Sequence, residues 1–235
     1  YGGIVLSVER MNRILEIDRR NLMAVVEPGV ITGDLHRAVE AEGLFYPVDP
    51  ASLDSCCLGG NVAEGAGGPR AVKYGTTKDY VTGLEVVLAG GEIIKLGGKL
   101  VKDVAGYNLV QLMVGSEGTL GVITQIILRL LPLPKAQVDL LVPFDDFQQA
   151  ADTVSAIIAQ CVVPATIEFM ERESVQACQR LLQKEVPFSD VAAHLLIQLT
   201  GQSQEEVEAQ MDAVGEICLE HGALDVLVAA DRPTR

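Results

Sequence analysis

Of the 23 glycines in this chain, 20 lie before residue 135 and 3 after it. A segment that dense in glycine cannot be mainly helical, because each glycine in a helix interior costs roughly 0.5–1 kcal/mol relative to alanine. It has to be built from short strands, turns and places where the backbone passes close to something else. The change in composition coincides with Leu131-Pro132-Leu133-Pro134, a stiff extended linker. A boundary is placed there, giving segments 1–134 and 135–235. With 235 residues, 49% of them hydrophobic, the chain suffices for one large or two ordinary domains with real cores.

Charge follows the same division. The formal net charge is −14, which argues against a nucleic-acid binder, whose partner demands a basic face. Residues 1–134 hold 12 Lys+Arg against 15 Asp+Glu, and residues 135–235 hold 6 against 17. The first segment can therefore accept a phosphate-bearing ligand without severe repulsion. The second reads as a solvated surface or one that faces a partner. No apolar run approaches the roughly 20 residues of a membrane-spanning helix; the longest, around 120–131, is broken by Thr124, Gln125 and Arg129. No signal peptide is recognisable, and the start at Tyr1 rather than Met is consistent with a missing upstream segment.

The five cysteines form no Cys-x-x-Cys and have no histidine at zinc-ligand spacing. They read as reduced thiols of a cytosolic protein. Cys161, Cys178 and Cys218 are expected in helix cores, and Cys56 and Cys57 in buried structural positions. His194 precedes an apolar strand and His221 sits at a helix end, so no metal is expected.

In the first segment, residues 23–27 read as a strand stopped by Pro28-Gly29. Thr32 is the expected cap of a helix whose inner face carries Leu35, Ala38 and Val39, with Gly43 ending it and His36 on its outer surface. Residues 81–89 and 92–96 form a hairpin around Gly90-Gly91, 109–114 a short helix and 119–130 a strand. The second segment reads β-α-β-α-β-α-β, with strands at 138–142, 166–170, 193–199 and 223–228. Phe147, Ala150, Ala151, Val154, Ile157, Ile158 and Cys161 share one helical face. Ser203-x-x-Glu206 is a capping box for the last helix, which closes before Gly222.

The densest glycine run is Gly59-Gly60-Asn61-Val62-Ala63-Glu64-Gly65-Ala66-Gly67-Gly68. A run like this lets the backbone approach a ligand closely with its N–H groups outward, which suits an anionic cofactor. It is neither a dinucleotide fingerprint, because Arg70 stands where a third glycine belongs and no helix pattern follows directly, nor a P-loop, for want of the Lys-Ser/Thr ending. An elaborate structural turn is the bland alternative.

The neighbouring motifs change the balance. Upstream stands Tyr46-Pro47-Val48-Asp49-Pro50. Downstream come Lys73-Tyr74-Gly75-Thr76-Thr77, Lys102-Asp103-Val104-Ala105-Gly106-Tyr107-Asn108 and Gly115-Ser116-Glu117-Gly118-Thr119-Leu120-Gly121-Val122-Ile123. In this order the set resembles the FAD-binding domain of the vanillyl-alcohol oxidase/para-cresol methylhydroxylase (PCMH) flavoproteins. Within them it resembles the glycolate oxidase flavin subunit and the D-lactate and D-2-hydroxyglutarate dehydrogenases. The resemblance covers nearly the whole chain. It implies an α+β fold: 1–134 as the later part of a PCMH-type FAD-binding domain, 135–235 as the start of a ferredoxin-like α/β cap domain that includes Pro164-Ala165-Thr166-Ile167-Glu168-Phe169-Met170.

The resemblance also implies a cofactor site. FAD is expected to bind with its pyrophosphate on the backbone of Gly59, Gly60, Asn61, Ala63, Gly65, Gly67 and Gly68. Pro47, Asp49 and Pro50 match the segment near the flavin and ribityl chain, and Tyr74 and Gly75 continue that wall. Glu117, Gly118, Gly121, Val122 and Ile123 match the segment on which the adenosine half rests; Val122 and Ile123 read equally well as strand core. Attachment is expected to be non-covalent. Lys102 reads as a surface lysine and Tyr107 as a buried, hydrogen-bonded tyrosine. Members of the family begin with a further α/β half, and Tyr1-Gly2-Gly3-Ile4-Val5-Leu6 resembles the strand that follows it. The substrate-binding Arg, the metal-binding His pair and the Glu-His of such enzymes have no counterpart up to Arg235, and the chain has no Trp. A piece of a larger polypeptide is therefore expected, its catalytic residues beyond 235. The implied activity is oxidation of a small 2-hydroxy acid, with an iron–sulfur subunit or a quinone as electron acceptor. A non-catalytic FAD-binding subunit and an unrelated α/β binding domain are the alternatives.

Overall fold

The computed structural model describes residues 2–160 and 162–229, so Cys161 lies outside the described residues. The chain divides into two compact units, Tyr1–Leu133 and Pro134–Arg235.

Unit 1 contains β1 (Ile14–Asp18), β2 (Met23–Val26), α1 (Thr32–Ala41), β3 (Leu44–Phe45), α2 (Leu58–Glu64), α3 (Ala71–Tyr74), α4 (Thr77–Tyr80), β4 (Val81–Val87), β5 (Ile93–Gly97), α5 (Leu109–Met113), β6 (Val122–Arg129) and β7 (Leu131–Pro132). Five strands form an antiparallel sheet in the order β1-β2-β6-β4-β5, and β3 pairs with β7. The sheet holds together because its apolar positions meet one core: Ala24 and Val26 from β2, Leu84 and Val86 from β4, Ile126 and Leu128 from β6. Leu35 and Val39 of α1, Leu58 and Val62 of α2, and Tyr46 close that core. Between β4 and β5 the chain reverses at Ala89-Gly90-Gly91, with Gly91 at φ 92° after a turn closed by its N–H to Leu88 O.

Several expectations need correction here. No strand forms within residues 2–6; Ile4 and Val5 are almost fully exposed, and a strand without a neighbour has nothing to satisfy its backbone. Thr32 is the first helical residue rather than the cap, which is Ile31, because its hydroxyl is engaged with the Cys56 carbonyl at 3.3 Å. His36 faces inward and is buried, its Nε2 2.9 Å from Val48 O. Tyr107 is 94% exposed, not buried. Cys56 and Cys57 are half-buried, and Cys178 is exposed while Cys218 is buried.

Unit 2 contains β8 (Ala136–Phe144), α6 (Phe147–Ala159), β9 (Thr166–Glu171), α7 (Arg172–Leu182), β10 (Ala193–Gly201), α8 (Gln204–Glu220) and β11 (Leu227–Val228). The order β11-β8-β10-β9 is wholly antiparallel. Each of the pairs β8/β9 and β10/β11 is joined through a helix and split by an inserted strand, which is the ferredoxin-like arrangement. Alternation builds its core: Leu140, Val142 and Phe144 of β8 meet Ala193, Leu195, Ile197 and Leu199 of β10, all fully buried, under α6 and α8. On α6 the buried face is Ala150, Thr153 and Ile157, with Phe147 and Ile158 partly exposed. Phe147 rests on Phe169, ring centroids 4.6 Å apart. Ser203 caps α8 through Glu206 N–H at 3.2 Å, while the Glu206 carboxylate reaches back to Gln202 N–H rather than to Ser203.

Candidate functional site

The glycine run starts as a helix, contrary to the loop expected. Leu58 N–H donates to Val30 O and Gly59 N–H to Pro28 O, which docks the first turn of α2 on residues 28–30. A side chain at Gly59 would meet Pro28 Cβ at 2.6 Å, so this glycine serves packing. Asn61 is turned inward, its amide donating to Thr32 Oγ1 at 2.7 Å. The helix ends at Gly65 in the left-handed region, φ 67°, with Ala66 N–H on Asn61 O and Gly65 N–H on Val62 O. That is a Schellman ending, which favours glycine at this position.

Three distant segments then fix the run. First, Gly68 lies flat against Asp49: a Cβ there would overlap the Asp49 carbonyl carbon and oxygen. Arg70 N–H donates to Asp49 Oδ1 at 3.1 Å, and Arg70 Nε lies 3.3 Å from Asp49 Oδ2. Second, Ala66 O accepts from both Thr77 N–H (2.9 Å) and the Thr77 hydroxyl (2.7 Å). Third, the carbonyls of Val62 and Ala63 accept from Gly115 N–H and Glu117 N–H, each at 2.9 Å. Glu117 takes φ 51° and Gly118 φ 72° in that turn.

The structure thus brings Asp49, Ala63, Gly65, Gly67, Gly68, Glu117 and Gly118 into one backbone assembly, with Pro47 buried and Pro50 half-buried beside Asp49. Of the next motif, the Tyr74 ring stands edge-on to Phe45 at 5.6 Å and Thr76 Cγ2 lies 3.3 Å from the place of a Gly67 Cβ; Gly75, between them, takes φ 80° and packs against Asp79. Gly121, Val122 and Ile123 sit at the start of β6, where Ile123 pairs with Val86 and Val122 with Val87. None of the described hydrogen bonds ties these three to the run. Lys102 is exposed on the 98–108 loop, which borders a cleft of about 210 Å³ walled by Val81, Leu100, Asp103, Tyr107 and Val110.

Thr32, Thr77 and Arg70 form the scaffold of the site and carry no sequence signal of that role. Their partners lie 29, 11 and 21 residues away. Burial raises the Tyr46 hydroxyl far above its usual value, so the ring is a neutral wedge under the strip, edge-on to His36 at 5.7 Å and to Tyr80 at 5.9 Å.

Two family descriptions match the chain: an FAD binding domain over residues 1–97, and the C-terminal domain of FAD linked oxidases over residues 133–235. The chain thus carries an FAD binding domain and the C-terminal domain of FAD linked oxidases. It is 50% identical over 228 residues to the glycolate oxidase subunit GlcD of Bacillus subtilis, covering 97% of this chain and 48% of that protein. It is 42% identical over 233 residues to a D-lactate dehydrogenase of Anaerostipes hadrus, covering 97% and 49%. The chain thus spans about half the length of the curated relatives it matches. A solved p-cresol methylhydroxylase shares the fold, with TM-score 0.75 and 22% identity over 96% of this chain and 49% of that one.

FAD is the cofactor that both matches name, and the residues present fit it. Among the described hydrogen bonds, the amides of Gly60, Gly67 and Gly68 have no protein acceptor, whereas those of Leu58, Gly59, Asn61, Gly65 and Ala66 do. Gly60 and Gly67 are exposed. A side chain at Gly60 would meet nothing nearer than Cys57 Sγ at 3.6 Å, so its bareness is unexplained by packing. Open backbone donors on a side-chain-free surface are what a pyrophosphate requires. Asp49 and Arg70, the least exposed charges of the assembly, neutralise one another.

Proposed function

We propose that this chain is the flavin-holding part of an FAD-dependent oxidoreductase that converts a small 2-hydroxy acid of the glycolate or D-lactate type into its 2-oxo acid. The observation that carries the reading is the set of open amides at Gly60, Gly67 and Gly68 on a backbone that three other segments hold rigid. When bound, FAD supplies the acceptor for the two electrons of the substrate's carbinol C–H bond. The amides of Gly60, Gly67 and Gly68 take the pyrophosphate. Gly59, Asn61, Ala63 and Gly65 shape that surface from behind. Pro47, Asp49, Pro50, Tyr74 and Gly75 line the flavin and ribityl end and keep water from it. Glu117, Gly118, Gly121, Val122 and Ile123 support the adenosine end.

Binding in this reading is non-covalent, since His36 is engaged in the core with Val48 O. The names of the relatives, a glycolate oxidase subunit and a D-lactate dehydrogenase, support the substrate class. The word subunit in the first of these names supports an assembly with other chains; the electron acceptor in this reading is an iron–sulfur subunit or a quinone. We place the protein in the cytoplasm, with any contact with a membrane made through a partner; no helix among the described residues is long and apolar enough to cross a membrane.

The test is the visible absorption spectrum of the protein at its full natural length, with FAD, before and after anaerobic addition of glycolate or D-lactate. Bleaching of a flavin band supports the dehydrogenase. A bound flavin that neither acid bleaches favours a non-catalytic FAD-binding subunit. Absence of a flavin band overturns the reading.

A further inference from the structure

Arg70 stands outside every group assigned above to the cofactor, yet it is one of the few buried charged residues of unit 1, 8% exposed. Its side chain does two things at once. The Nε edge meets Asp49 Oδ2 at 3.3 Å, and the guanidinium carbon lies 5.1 Å from the centre of the Phe45 ring. Its backbone N–H adds a third link to Asp49 Oδ1 at 3.1 Å. The side chains of the pair are 10% and 16% exposed.

A buried ion pair is a weak source of stability, because desolvation offsets the attraction; its best-attested use is to fix the register of the pieces it joins. The pieces here are the strip Phe45–Pro50 and the turn Gly67–Gly68, which touch through Gly68 and Asp49. We propose that Arg70 is a positioning residue for FAD: it locks the flavin-facing strip to the pyrophosphate-facing turn, acting through Asp49 and not by touching the cofactor. This inference rests on the cofactor reading given above. Arginine is required for shape as well as charge, since only a planar guanidinium can present an edge to a carboxylate and a face to Phe45 together.

The experiment is an FAD titration of the full-length protein and of Arg70→Gln, Arg70→Lys, Asp49→Asn and the Asp49→Asn/Arg70→Gln double variant. Far-ultraviolet circular dichroism of each apoprotein and visible circular dichroism of the bound flavin are recorded alongside. Arg70→Gln and Arg70→Lys are each expected to raise the FAD dissociation constant about tenfold and to alter the flavin's visible dichroism, with the apoprotein spectrum unchanged. The double variant is expected to lose no more than the worse single one. Recovery of wild-type affinity by lysine would mean that charge alone acts, and multiplying losses would mean that the two residues act separately; either overturns the proposal, as does FAD binding indifferent to Arg70. If Arg70→Gln fails to fold, Arg70→Lys replaces it in the cycle. Failure of the wild-type protein to bind FAD would overturn the cofactor reading and this inference with it.

Discussion

In unit 1 the backbone around residues 58–70 is fixed from outside, by Pro28, Asp49, Thr77 and the 115–117 turn. In unit 2 the sheet fixes itself: β8 and β10 pair along their whole nine-residue length, and alternate side chains go straight into the core. The first arrangement leaves donors facing outward and stays rigid without covering them. The second pairs the β8 and β10 backbones with each other and with β9 and β11, and builds its core from side chains. A binding backbone needs the first kind of support, and its glycines are the consequence.

The comparison is broken most directly by giving each unit the wrong side chain. Gly68→Val drives a side chain into the Asp49 backbone and is expected to destabilise unit 1 by about 4 kcal/mol, a severe case of overpacking. Chemical denaturation followed by amide exchange should show the loss in unit 1. Leu195→Ala removes a fully buried side chain from the unit 2 core and is expected to cost about 3 kcal/mol, with the protection loss confined to β8, β9, β10 and their helices.

Legibility in the sequence divides between the units in the same way. Unit 2 reads well, because period-2 and period-3.6 patterns report local burial; Leu195, Ile197 and Leu199 alternate, and the order of its elements follows. Phe147 and Ile158 share the apolar face of α6 but are partly exposed, since Thr153 takes the central place and hides its hydroxyl on Gln149 O at 2.7 Å. Unit 1 reads poorly in detail. Its glycine motifs are visible, but that residues 58–64 are helical depends on Pro28 and Val30 receiving the first amides. His36 reads as a surface residue because nothing local signals that Val48 O awaits it. Tyr107 reads as buried on its residue type alone, yet it is on the open 98–108 loop. The Asp49–Arg70 pair spans 21 residues and has no periodic signature.

A milder change sharpens the contrast in glycine's role. Gly215 lies inside α8, and a Cβ there would have nothing within 4 Å. Gly215→Ala is therefore expected to stabilise the protein by about 0.5–1 kcal/mol, seen as a raised thermal midpoint. The smallest effect is a slope. His194 is buried in β10 with Nε2 3.1 Å from Pro187 O and no partner for Nδ1. Burial holds its pKa below the ordinary value of about 6.5. The folded state then stays neutral while the unfolded chain takes up a proton, so stability is present above that value and is lost as pH falls toward the depressed one. Urea midpoints measured between neutral pH and about pH 5 should fall for the wild type and fall less for His194→Leu.

The central claim, that bare amides in unit 1 hold the cofactor's phosphates, is tested most directly at Gly60, whose substitution meets no obstacle. Gly60→Asp places a carboxylate where the anion would sit, in the first turn of α2, where an acidic residue does not harm the helix. FAD titration of the full-length wild type and this variant, beside the thermal midpoint of each apoprotein, decides the matter. The account predicts an unchanged midpoint and an FAD dissociation constant raised about a hundredfold or more. A variant that folds normally and binds FAD as tightly as the wild type would contradict it.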